Sequence, residues 1–279
     1  MYFKQKNNDQ RPRAQHFSMR GEKPSPRDYE TRRPKEKEMI FGIRAVIEAL
    51  DAGKTLDKIL LRRDMSSALA RELMEKLEGI PTPVQKVPVE KLNQFTDKNH
   101  QGVIAFLSPI EFTPLENLLP MLFEEGKTPF LVVLDGVTDV RNFGAIARTC
   151  ACAGADAIVV PARGGAAING DAIKTSAGAL HSLPVCKVEN MQDALRYLRD
   201  SGVTLVAATE HATKLYTEAD FSGPVAILMG SEDIGIHPAN LDLCDTRVKL
   251  PMAGTIESLN VSVAAGIFIY EVIRQRSLK

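Results

Sequence analysis

Apolar segments of strand length, separated by helical stretches, constrain the fold of the second half of this chain more than any other feature. Strands that are apolar throughout are typical of parallel sheets whose two faces are both covered by helices. The predicted strands are residues 130–134, 157–160, 204–208, 225–229 and 247–250. Helices are predicted between and after them at 142–153, 191–200 and 259–274. The sequence therefore predicts an α/β domain over residues 129–279, built on a mostly parallel sheet.

A smaller α/β module is predicted before it, at residues 38–108. Apolar residues recur at helical spacing from Ile40 to Leu50, and a second amphipathic helix is predicted at 69–77. Strands are predicted at 56–61, 85–87 and 103–107. Residues 109–128 are rich in proline and are interpreted as a linker that contains a short helix.

Residues 1–37 form a basic tail that is predicted to be disordered, because its apolar residues are too sparse to offset the entropy of ordering. The tail contains eleven Lys and Arg against five Asp and Glu. Since the whole chain has a net charge of zero, the remainder is acidic by six charges. Two roles stay open for the tail: it keeps the protein soluble, or it holds the phosphates of a nucleic acid.

Several classes of protein are disfavoured by the sequence. There is no apolar run for a secretory signal or a membrane span, so a cytoplasmic location is expected. Neither the four cysteines nor the five histidines have metal-ligand spacing, so no metal is predicted, and Cys150 and Cys152 are expected to be buried. Two glycine pairs have the spacing of a Walker loop but lack its lysine, which argues against a triphosphate site.

Ligands of parallel sheets bind at the carboxyl ends of the strands, so the segments that follow the strands are the candidate site. Three of these segments are rich in glycine and polar residues: 134–149, 228–236 and 250–262. They resemble, in order and spacing, the three motifs of the SpoU (TrmH) family of RNA ribose methyltransferases, within the SPOUT superfamily. The chain departs from the family pattern at Asp233, where glycine is common.

The module at 38–108 is similar to the RNA-binding module that precedes many SpoU enzymes. The likeness rests on residues 40–45, Ile-Phe-Gly-Ile-Arg-Ala, and on residues 100–105, His-Gln-Gly-Val-Ile-Ala. It is greatest for the subgroup that acts on large-subunit ribosomal RNA. The resemblance therefore implies 23S ribosomal RNA, with guanosine as a target, and leaves transfer RNA as the alternative.

The family resemblance implies a carboxyl-terminal trefoil knot, S-adenosylmethionine as methyl donor, a homodimer, and transfer of the methyl group to a ribose 2′-hydroxyl of structured RNA. It also implies roles for particular residues of this chain. The implied catalytic residues are Asn142, Arg148, Glu232, Ser258 and Asn260. The implied cofactor-binding residues are Thr209, Gly230, Leu250 and Leu259.

Physical chemistry refines these roles. A guanidinium keeps its proton in proteins, so Arg148 suits stabilisation of a forming alkoxide better than general-base catalysis. Glu232 is interpreted as orienting Arg148 or its own loop. Asn142 is a candidate N-cap of its helix, and Ser258 is a candidate cap of the last one.

Two rival functions are a non-catalytic RNA-binding protein on the same fold and a base methyltransferase of the superfamily. The complete set of polar motif residues disfavours the first, and the Ser-Leu-Asn at 258–260 disfavours the second. A further polar stretch contains Lys174, Ser176 and His181. It is interpreted either as an RNA contact or as a solvated helix face.

Overall fold

The computed structural model describes residues 39–78, 80, 82–256 and 258–278. The predicted basic tail, residues 1–37, lies outside the described residues. The first module has the elements β1 (Met39–Phe41), α1 (Ile43–Asp51), β2 (Leu56–Arg62), α2 (Ala68–Leu77), β3 (Val84–Val87), α3 (Val89–Asn93) and β4 (Val103–Leu107). Its sheet has the order β1-β4-β2-β3, with only β2 and β3 parallel.

The second part of the chain contains α4 (Leu115–Glu124), β5 (Phe130–Asp135), α5 (Val140–Ala153), β6 (Ala157–Pro161), α6 (Gly170–Thr175), β7 (Val185–Val188), α7 (Met191–Asp200), β8 (Thr204–Ala208), β9 (Lys214–Leu215), β10 (Val225–Gly230), α8 (Pro238–Leu241), β11 (Thr246–Lys249) and α9 (Val261–Arg276). The strands form one sheet of order β7-β6-β5-β10-β8-β11-β9. Every neighbouring pair in it is parallel.

Helices cover both faces of this sheet. Alternate residues of β5 point to opposite faces, so Val132 packs in the core beneath α5 and α9, while Leu131 packs in the core beneath α4 and α7. Burial on both faces explains why the strands are apolar at every position. The predicted fold class, a mostly parallel α/β domain preceded by a small α/β module, is confirmed.

The structure corrects one local prediction, confirms another and adds two short strands. Ile40 belongs to β1 and not to the first helix, because Gly42 at φ +93° turns the chain and α1 begins at Ile43. The short helix expected within 109–128 is α4, whose leucines are buried against the large sheet. Strands β7 and β9 were not predicted, since segments of four and two residues are too short to show a period.

Cysteine burial was predicted correctly for Cys150 and wrongly for Cys152, which is exposed on α5. Burial raises the pKa of Cys150 and of Cys186 to about 12, so both thiols stay protonated at neutral pH.

In the described part of the chain no group of acidic, histidine or cysteine side chains is arranged to hold a metal ion. Nor does any described helix have the length and apolarity to cross a bilayer.

Candidate active site

The carboxyl ends of β8, β10 and β11 enclose a cleft of about 550 Å³, which opens into a neighbouring recess of about 420 Å³. We call the two together the edge cleft. Their size lies in the usual range for small-molecule sites. All four residues implied to bind the cofactor line the edge cleft: Thr209, Gly230, Leu250 and Leu259.

Three polar side chains from separate parts of the sequence meet at the recess. Asn142 Nδ2 donates to Glu232 Oε1 at 2.8 Å, and Asn260 Nδ2 donates to the same oxygen at 2.9 Å. Asn260 Nδ2 also lies 3.0 Å from Asn142 Oδ1, which accepts from it. This amide–carboxylate cluster brings together three of the five residues implied to be catalytic, one from each motif.

The cluster is held by the starts of two helices. Asn142 lies in the first turn of α5, whose N-cap is Asp139 and not Asn142 as predicted: the Asp139 carboxylate accepts from the backbone N–H groups of Arg141 and Asn142. Asn260, and not Ser258, caps α9, with its Oδ1 accepting from Ser262 N at 2.9 Å. Ser258 lies in the preceding loop and lines the edge cleft.

One residue, Asp139, caps α5, and another, Asn142, belongs to the cluster, so the stability of the helix and the chemistry of the cluster can be changed independently. We expect Asp139→Ala to lower the free energy of unfolding by about 1 kcal/mol, the usual cost of losing an N-cap. Asn142→Ala leaves the cap in place and is expected to cost less stability while slowing methyl transfer. Denaturant unfolding of the two variants measures the difference; a larger stability loss for Asn142→Ala would contradict the assignment of the cap.

Gly230 is required by the close approach of its own chain. Residues 231–235 form a tight turn, closed by a pair of backbone hydrogen bonds between Ser231 and Gly235 at 3.0 and 3.1 Å. The turn folds back so closely that a Cβ at Gly230 would overlap the backbone of Gly235 and Ile236. Glycine at this position therefore sets the turn that carries Glu232 to the cluster.

Asp233, the departure from the family pattern, lies in the same turn and is exposed. The residue with a left-handed backbone in this turn is Gly235, at φ +73°, and Asp233 is not among the residues with positive φ. The aspartate therefore adds no backbone strain. Asp233 lines the recess, where it adds negative charge.

Arg148 lies apart from the cluster. It is exposed on α5, six residues after Asn142, so it is about 120° round the helix and about 9 Å along it. It does not line the edge cleft, and within the described residues it has no ion pair or hydrogen bond. Glu232 therefore does not orient Arg148 within the chain; it orients the two asparagine amides.

Some residues at this edge were missed by the sequence analysis. The carboxylate of Asp135 accepts from His237 N and from Asn240 Nδ2, each at 2.8 Å, and so ties the end of β5 to the segment after the turn. Asp135 begins the first motif, and its position at a strand end was the signal for this role. Glu210 and His211 line the edge cleft without any signal in the sequence.

The three polar residues predicted at 174–181 differ in their exposure to solvent. Ser176 is wholly buried and its hydroxyl donates to Ile173 O at 2.9 Å, so it does not contact RNA. Lys174 and His181 are exposed.

Comparison with known proteins agrees with this architecture. Residues 129–270 match the model of the SpoU rRNA Methylase family, and residues 39–113 match that of the RNA 2′-O ribose methyltransferase substrate binding domain. A 23S rRNA (guanosine-2′-O-)-methyltransferase, RlmB of Yersinia pestis, is 37% identical over 87% of this chain and 99% of its own length. A putative TrmH family tRNA/rRNA methyltransferase of Bacillus subtilis, YacO, is 34% identical over 85% of this chain and 96% of its own.

Solved structures give the same result. The SpoU methyltransferase AviRb from Streptomyces viridochromogenes, in complex with AdoMet, has a TM-score of 0.55 at 27% identity and covers 86% of this chain and 91% of its own. An AdoMet-bound rRNA methyltransferase from Sinorhizobium meliloti also has a TM-score of 0.55, at 26% identity, over 85% and 87% of the two chains. The fold and the edge cleft thus define a SPOUT-type methyltransferase, and this chain belongs to its SpoU (TrmH) family. It is an RNA 2′-O-ribose methyltransferase that uses S-adenosylmethionine.

Proposed function

We propose that this protein methylates the ribose 2′-hydroxyl of a guanosine in 23S ribosomal RNA. Relatives named as 23S rRNA guanosine methyltransferases match nearly their whole length to this chain, and the substrate-binding module is present. The location of the active site rests on the amide–carboxylate cluster. It places polar groups from all three motifs beside a cleft of the size of a nucleoside ligand.

The edge cleft fits S-adenosylmethionine. Its walls are strand-end loops rich in backbone groups, and Met252 and Leu259, which line it, are 40% and 41% exposed, as expected of apolar side chains that a ligand covers. We assign Thr209, Leu250 and Leu259 to holding the cofactor and Gly230 to shaping the cleft. The cofactor supplies a methyl group already activated on a sulfonium, so the protein has mainly to position the ribose oxygen.

The cluster and Arg148 have different parts in the reaction. Glu232 fixes the side-chain amides of Asn142 and Asn260, which leaves them oriented to hydrogen-bond the ribose. Ser258, in the wall of the cleft, provides a further hydroxyl to the same region. Arg148 stabilises the negative charge that develops on the 2′-oxygen, because its guanidinium stays charged throughout.

We further propose that the enzyme is a homodimer that pairs through α9. Val263, Ile267 and Tyr270 lie on one face of α9 and are 53%, 36% and 52% exposed, an apolar stripe that a second copy would bury. α9 packs on α5, with Gly266 close to Thr149, the residue that follows Arg148. In this proposal, Arg148 of one copy serves the amide–carboxylate cluster of the other.

The substrate is tested by mapping ribose methylation in cells with and without this protein. We expect one guanosine of 23S ribosomal RNA to lose its 2′-O-methyl group, seen as new alkaline cleavage at its 3′ side. Cells that produce the Arg148→Ala protein are the matched control and should show the same loss. Disappearance of a methyl group from transfer RNA instead, with 23S RNA unchanged, would contradict the proposed substrate.

A further inference from the structure

A second cleft, of about 510 Å³, lies between the two parts of the chain, and the reaction described above does not use it. We call it the side cleft. One wall is formed by the beginning of β2, with Lys58, and by Gln85 of β3. The other wall is the loop that follows β6, residues 162–168, together with Lys187 of β7.

The charges in the side cleft do not cancel. Lys187 Nζ lies 3.0 Å from Asp57 Oδ1, and the lysine side chain is 6% exposed, so this acid and base neutralise each other in a buried ion pair. The positive charges of Lys58 and Arg163 remain without a carboxylate partner. Neither is in an ion pair with any described residue, and Arg163 is exposed. The described body of the protein is acidic overall. Two unpaired cations in one cleft therefore make it a candidate binding site for an anion.

The loop adds backbone donors to these cations. Residues 163–167, Arg-Gly-Gly-Ala-Ala, all line the side cleft. Within the described residues their N–H groups donate to no carbonyl and to no side chain. Unpaired amides in a cleft with cations are a common arrangement for holding phosphate oxygens. Glycine and alanine side chains also leave room for the bulky backbone of a nucleic acid.

The side cleft opens at the same edge of the sheet as the active site. β6 and β10 are separated only by β5, so the ends of β6 and β10 are about 10 Å apart at the usual strand spacing. The end of β10 carries the turn with Glu232, and the end of β6 carries the loop with Arg163. The loop with Arg163 is therefore close enough to the turn with Glu232 for one RNA strand to contact both.

In the first module, Lys58 is adjacent to two aromatic rings that lie outside the lining of the side cleft. Lys58 Nζ lies over the ring of Phe106 at 5.1 Å, and Phe95 meets the same ring edge-on with centroids 5.3 Å apart. Phe106 itself is half-buried. Cations interleaved with aromatic rings are typical of surfaces that bind RNA strands.

We propose that the side cleft binds the phosphodiester backbone of the substrate RNA next to the target nucleotide. Arg163, Lys58 and the amides of residues 163–167 are the donors to the phosphates. The inference deepens the proposed function and rests on it, since the bound anion is the enzyme's own RNA. Phosphate binding in the side cleft affects how the RNA is positioned and does not affect cofactor binding, because the cofactor binds in the edge cleft.

The test measures binding of unmodified 23S ribosomal RNA to the full chain across a range of salt concentrations. We expect Arg163→Ala to weaken binding about tenfold at low salt, as for the loss of one charged hydrogen bond. The slope of log affinity against log salt should fall by about 1 for each phosphate contact removed. Ala167→Glu, which places a carboxylate in the exposed loop without removing a cation, should weaken binding in the same direction.

Lys127→Ala is the matched control, because it removes one exposed cation just before β5, at the opposite edge of the sheet. It should leave affinity and salt slope unchanged. Unchanged affinity in Arg163→Ala, an unchanged salt slope, or an equal loss in Lys127→Ala would each overturn the proposal. Methylation of the same RNA by the wild-type enzyme reports separately on the proposed substrate, so the failure of one idea is distinguishable from the failure of the other.

Discussion

Replacing Arg148 by alanine is expected to lower the rate of methyl transfer about a hundredfold or more, the scale for removing one donor to a developing oxyanion. Arg148 does not line the edge cleft, so cofactor affinity should be nearly unchanged. Arg148→Lys keeps the charge but loses the planar guanidinium, and it should recover only part of the rate. Single-turnover kinetics at saturating RNA and cofactor measure these effects. Near-normal rates in a folded Arg148→Ala protein would refute the catalytic assignment.

A mixing experiment decides whether Arg148 acts within its own chain or across a dimer. Arg148→Ala and Glu232→Ala proteins are each expected to be nearly inactive. If Arg148 serves the second copy, random pairing makes half of the dimers mixed, and each mixed dimer has one intact site, so about a quarter of the wild-type activity returns. If Arg148 acts in its own chain, mixing restores nothing.

Gly230→Ala is expected to have the largest effect on the structure of the site. The added Cβ would overlap backbone atoms of residues 235 and 236, which cannot move aside as a flexible side chain can. We expect a loss of about 3 kcal/mol in the free energy of unfolding, at the upper end for overpacking. Because the turn must shift, Glu232 should leave the cluster, and both cofactor binding and methyl transfer should be lost. Thermal melting and calorimetry with S-adenosylmethionine measure the two effects.

Gly223→Ala is the matched control for that variant. Gly223 has no positive φ, and a Cβ there meets nothing within 4 Å. Alanine should therefore be neutral or slightly stabilising at this position, by lowering the entropy of the unfolded chain. A Gly230→Ala protein that melts and binds cofactor like Gly223→Ala would show that the close approach of the turn is not needed.

The strands and the location of the site followed from local sequence. Strands β5, β6, β8 and β10 are apolar at nearly every position because both faces of the sheet are covered, and that pattern is visible without a structure. The rule that ligands bind at strand carboxyl ends then pointed to the three segments that form the edge cleft. The roles of individual residues within those segments came from the family resemblance, which composition and periodicity do not contain.

Short elements and helix caps were not determined by the sequence alone. Strand β7 has four residues, too few for a period, and is set by pairing with β6. Asp139, Asn142, Ser258 and Asn260 are all residue types that cap helices, so the choice of Asp139 and Asn260 depends on where the backbone turns.

The sequence by itself determined the fold class, the sheet edge that carries the site and the polar residues of each motif, because these depend on local patterns of apolarity and on motif spacing. Only the tertiary structure decided which polar groups meet. Asn142 and Glu232 are 90 positions apart and share a hydrogen bond, while Asn142 and Arg148, six apart, do not meet because they face different sides of one helix. The pairing of Asp57 with Lys187, 130 positions apart, likewise left Lys58 and Arg163 as the unpaired cations of the side cleft. Contacts of this kind depend on the order of strands in the sheet, which no single segment of sequence specifies.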